Sequence, residues 1–99
     1  MASLRNVGKN DLYHTKARWG DGVIDYYTGT VRDRETSELL AIIDVYDLGD
    51  KTLANVTNVF EGLTQHFGES EGSDGLRDMQ RYVMCHFPDK YCRLKAELA

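Results

Sequence analysis

Ninety-nine residues, 41% apolar and 10% aromatic, make one folding domain with a single modest core and not a disordered tail. The net charge of −4 argues against sequence-independent nucleic-acid binding, which needs a basic footprint. No run approaches the ~18 apolar residues of a membrane span, and the opening "MASLRNVGKND" lacks the apolar stretch of a secretory signal; the expectation is a cytoplasmic protein that meets another protein, a basic one included.

Residues 1–10 read as a polar N-terminal arm. "LYHTKARW" (12–19) reads as a strand, "GDG" (20–22) as a turn, and "VIDYYTGTV" (23–31), rich in β-branched and aromatic residues, as a second strand. "RDRETS" (32–37) is a polar turn and "ELLAIIDVYDL" (38–48) a third strand, so 11–48 forms a β-meander. The period then changes. Leu53, Val56, Val59, Phe60, Leu63 and Phe67 recur at spacings of three and four, which predicts a helix opened by Asp50 or Thr52 and closed by Gly68. Thr52, Asn55, Thr57, Asn58 and Gly62 are poor helix formers, so docking must supply its stability.

"GESEGSDG" (68–75) is an acidic loop with no lysine after its glycines, hence no phosphate-binding P-loop. Ser73 or Asp74 caps a second helix with Leu76, Met79, Val83 and Phe87 on one face, and Pro88 stops it. "KYCRLKAEL" (90–98) suggests a short third helix. The expected class is α+β: a three-stranded antiparallel β-meander, then a helical part over 50–98 whose two or three α-helices pack on one face of the sheet.

The chemistry is sparse. Asp44, Asp47 and Asp50 do not follow the ligand spacing of a calcium loop. Asp25 and Asp44 would meet across the second hairpin in one register, and such a carboxylate pair could do acid–base work in a small enzyme; strand-end and solvent-facing acids usually have no such role. Cys85, His86 and Cys92 fall short of a zinc set unless His14 or His66 completes it. Cys85 and Cys92 could also bridge across the proline turn, although free thiols are the simpler state. Neither G-x-S-x-G nor H-E-x-x-H is present. The expectation is no catalytic centre, no cofactor and no metal. Lys16 and Arg18 open a nucleic-acid alternative, a phosphate-reading stripe with the basic residues of 77–95, but Asp78, Asp89 and Glu97 interrupt it.

The sheet faces carry the functional expectation. Along the third strand, odd positions (Leu39, Ala41, Ile43, Val45) are purely aliphatic and suit the helices. Even positions (Leu40, Ile42, Asp44, Tyr46) join Ile24 and Tyr26 if the hairpin pairs like parity with like. That second face mixes tyrosines with charges, as contact surfaces do. The partner-binding set read from the sequence is His14, Lys16, Arg18, Tyr26, Ile42, Asp44 and Tyr46. A terminal segment folded over this face, or a one-residue slip, would remove it. The function expected is non-enzymatic protein binding: a module that docks on a larger assembly and inhibits or adapts it. Small, acidic, motif-free chains of this kind are common among phage and mobile-element inhibitors of host defence, anti-CRISPR proteins included. A homodimer through the same face is compatible with that reading.

Overall fold

The computed structural model describes residues 2–3, 7–87 and 91–94. They form a single antiparallel sheet with one α-helix. Five strands make a meander in chain order: β2 (Tyr13–Trp19), β3 (Gly22–Arg32), β4 (Leu39–Asp47), β5 (Thr52–Asn58) and β6 (Leu63–Phe67). Two short strands complete it, β1 (Ala2–Ser3) and β7 (Tyr91–Leu94). At eleven residues, β3 is longer than either neighbour on its outer side. β2 pairs with Gly22–Thr28 and β7 with Gly29–Arg32, and β1 lies beyond β7. No helix among the described residues is long and apolar enough to cross a membrane.

The expected three-stranded meander followed by two or three helices is therefore corrected. The first predicted helix is a hairpin, β5–β6. Its apparent helical stripe is a coincidence of spacing, and the poor helix formers in it are good strand and turn residues. Ala54 and Val56 are buried while Leu53, Asn55 and Thr57 point to the other face, the two-residue period of a strand. Asn58 makes the turn: its side-chain oxygen accepts from Phe60 N–H (3.0 Å) and Glu61 N–H (3.1 Å). Gly62, at φ 68°, supplies the left-handed residue that closes it. Asp50 sits in the β4–β5 turn and caps no helix; there Asp47 accepts the Gly49 N–H at 2.9 Å. Tyr91–Leu94, expected within a third helix, is a strand on β3; 95–98 lies outside the described residues.

The one α-helix, α1 (Gly75–His86), starts where the sequence placed it. The Asp74 carboxylate accepts the Arg77 N–H at 3.2 Å, and that bond holds its pKa below the ordinary carboxylate value. Thr52 fastens this end of α1 to β5. Its hydroxyl donates to Asp74 (3.0 Å) and accepts from Leu76 N–H (3.1 Å). The approach is so close that a Cβ on Gly75 would overlap the Thr52 carbonyl and the backbone of Leu53 and Ala54.

The core lies between α1 and one sheet face. Val31, Ala41, Ile43, Val45, Ala54 and Val56 meet Met79, Val83 and Phe87. The start of the chain closes it. Val7 and Leu12 are buried in the same cluster, and the Gln80 side chain donates to the Val7 carbonyl. Residues 7–12, joined by a 3₁₀ turn at Lys9–Asp11, are thus part of the packed domain and not an arm.

Candidate functional site

In β3 and β4, like parity pairs with like: Tyr26 faces Tyr46, Thr28 faces Asp44 and Thr30 faces Ile42. Odd positions face α1. From Ile42 to Tyr46 the even positions build the opposite face, and β5 continues it with Leu53, opposite Tyr46; Leu40, expected on that face, packs against the core instead, beside the register shift at Val31–Arg32. Both α1 and the 7–12 segment lie on the other side of the sheet; on this face the end that carries Trp19 is exposed, whereas Thr28 and Thr30 in the middle of β3 are 3% and 2% exposed.

The open face has an aromatic row at one end. Tyr26 and Tyr46 rings lie 5.1 Å apart, and Trp19 reaches over from β2 to within 5.6 Å of Tyr46. Ile24 and Leu53 are half-buried beside the row, Ile42 is half-buried farther along β4 beyond Asp44, and Trp19 is 44% exposed. Three large rings in a row are more than a sheet face directed only at water carries. Toward β5 and β6 the face turns polar, with His66 Nδ1 2.7 Å from Asn55 Oδ1 and the Thr57 and Thr64 hydroxyls 3.0 Å apart.

Asp44 stands at the border between the two regions. The Tyr26 hydroxyl donates to its Oδ1, and the buried Thr28 hydroxyl lies 3.2 Å from the same oxygen and 3.0 Å from the Ile43 carbonyl. Burial, then the Asp44 hydrogen bond, push the Tyr26 phenol up to about 12. Tyr46 is raised too, by burial first and then by the Asp44 charge. Both phenols stay neutral, and the carboxylate is held in one place as an acceptor.

The structure divides the residues expected to bind together. Tyr26, Ile42, Asp44 and Tyr46 share the open face. His14, Lys16 and Arg18 do not; they project from the side that carries Tyr27 and the core. The two-residue loop Gly20–Asp21 sets Trp19 opposite Gly22, which reverses parity between β2 and β3. Tyr13, Thr15, Ala17 and Trp19 consequently join Tyr26. Ile24 joins Tyr26 as expected; Trp19 and Leu53 are the face residues that sequence reasoning missed, and the loop length was the signal for Trp19.

Asp25 and Asp44 lie on opposite faces, so the acid–base pair does not form. Asp25 instead receives Lys16 Nζ (2.5 Å) and His14 Nε2 (2.8 Å). It sits directly opposite Asp47, and two like charges so placed repel. Lys16 on Asp25 and Lys9 on Asp47 (2.8 Å) offset that repulsion and hold both carboxyls below their ordinary pKa. Lys16 of the supposed phosphate stripe is thus engaged in an ion pair. His14 stacks on Tyr27 at 4.7 Å.

Among the described residues, no three His, Cys, Asp or Glu side chains converge as metal ligands do. His86 stacks on Tyr82 at 4.0 Å, beside the exposed thiol of Cys85. The Cys92 side chain lies outside what the structure describes. A shallow polar cleft between the β4–β5 turn and the start of α1 is lined by Lys9, Asp47 and Asp74 among others. These three already serve the ion pair and the helix cap. Comparison of the chain with models of known protein families, with curated proteins and with solved structures finds no match.

Proposed function

We propose that this protein is a cytoplasmic, non-enzymatic binding module that docks on a larger protein assembly through the open sheet face and blocks or adapts it. Such action is typical of small inhibitors carried by phage and mobile elements, and the acidic, motif-free sequence supports that class. The observation that carries the reading is the row Trp19–Tyr46–Tyr26 on the sheet face away from α1, exposed at Trp19, with Asp44 fixed at its edge. Large rings with few rotors give much contact area at little ordering cost. A pre-positioned carboxylate beside them suits an arginine or lysine of the partner, which would stack on a ring and pair with Asp44. The net charge of −4 favours encounter with a basic surface.

The test compares affinity capture by the wild type with capture by Trp19→Ala, Tyr26→Ala and Tyr46→Ala, using Arg81→Ala on the exposed side of α1 as the control. All four should keep the wild-type circular dichroism. The expected result is one bound species held by the wild type and Arg81→Ala and lost by the three face variants. Capture that survives all three substitutions in folded protein would overturn the proposal.

A further inference from the structure

The sheet ends at β6, and that edge lacks the usual protection. Among the described residues, β6 pairs with β5 on one side and with no strand on the other. Soluble proteins guard such an edge with charges, proline, a bulge or a covering segment. Leu63–Phe67, "LTQHF", has no acidic residue, lysine, arginine or proline, and its pairing with β5 runs without a bulge. Leu63, Thr64, Gln65 and His66 are exposed, Leu63 at 60%. Phe60, in the turn just before it, is 69% exposed.

We propose that β6 is a self-association edge, pairing antiparallel with β6 of a second copy of this chain about a two-fold axis through Gln65. The sequence of the strand is complementary to itself in that arrangement. Leu63 would face Phe67 of the other copy, apolar against apolar on the α1 side. Thr64 would face His66, and Gln65 would face Gln65, where two amides can exchange hydrogen bonds. No like charges meet within these five residues. Glu61 and Glu69 would oppose each other just beyond Gly62 and Gly68, so repulsion limits the pairing to the strand itself.

The comparison with β2 supports the choice of edge. A β2 pairing with its own copy about Lys16 would set Lys16 directly against Lys16, which is repulsive. One edge is charged against this contact and the other is not. The two-fold axis stands perpendicular to the sheet, so both copies of α1 lie on one side. The two open faces then form one continuous surface on the other.

Sedimentation over a concentration series should show the mass rising from 11.3 kDa toward twice that value. Gln65→Lys and Gln65→Glu, each alone, should stay at the single-chain mass, because each places like charges directly opposite. An equimolar mixture of the two should recover the two-chain mass. Independently, amide exchange at 63–67 in the wild type should slow as concentration rises. The proposal is overturned by a wild type that remains single at every concentration, by Gln65→Lys associating as the wild type does, or by β6 amides that become protected only when a foreign protein is added.

Discussion

Ile42 and Ile43 are adjacent, identical in side chain and on opposite faces of β4, so truncating each to alanine isolates the face. Ile43 is fully buried, between Gly29 and Val56 on the neighbouring strands and beneath α1. Removing three buried carbons at ~0.8 kcal/mol each forfeits about 2.4 kcal/mol of transfer free energy. An enclosed residual cavity of ~50 Å³ adds about 1 kcal/mol, giving roughly 3.5 kcal/mol for Ile43→Ala. Ile42 is half-buried on the open face, and water fills the space its side chain leaves. Ile42→Ala should therefore lose only about 1–1.5 kcal/mol, including the lower strand preference of alanine. The expected gap of about 2 kcal/mol corresponds to roughly 10 °C in Tm for a domain of this size. Urea unfolding followed by the fluorescence of Trp19, the sole tryptophan, gives both values. Equal losses, or a greater loss at Ile42, would refute the assignment of core to the odd face and of contact surface to the even one.

Tyr26 should titrate last among the tyrosines of the described core, near pH 12 and against an ordinary value of 10.0. Its raised pKa contributes stability that is complete below pH 10 and is lost as pH rises through about 12. Absorbance of tyrosinate against pH measures this; Tyr26→Phe should remove the late step, and a wild type with no step above that of free tyrosine would contradict the burial of the phenol. Gly75→Ala should lower stability by about 2 kcal/mol or more, because the added methyl meets backbone that cannot move aside. Gly22→Ala, where the nearest atom would lie 3.9 Å away, is the comparison, and equal melting temperatures for the two would refute the close contact of α1 with β5.

The first three strands of the meander, β2 to β4, were legible because their signals are local. GDG fixes a tight turn, and the runs on both sides alternate in the manner of half-buried strands. Asp74 and the Met79–Val83–Phe87 stripe marked α1 for the same reason. The β5–β6 hairpin was not legible from periodicity, because Leu53, Val56, Val59, Phe60, Leu63 and Phe67 imitate a helical face. The weak propensities of Thr52, Asn55, Thr57 and Asn58 were the contrary evidence, and they prevailed. The face expected to carry Tyr26, Ile42, Asp44 and Tyr46 emerged from parity alone. Its edge did not, because placing Trp19 and dismissing Lys16 required the arithmetic of a two-residue loop. Val7 gave no signal at all: a lone valine between polar residues reveals its burial only once Gln80, far along the chain, is in place.

That last contact has a consequence for when the molecule becomes whole. Val7 and Gln80 of α1 meet across 73 residues of sequence, and Val7 closes the same core that α1 covers. A ribosome must deliver α1 before the interior is sealed, so the half-built sheet waits with its greasy side bare.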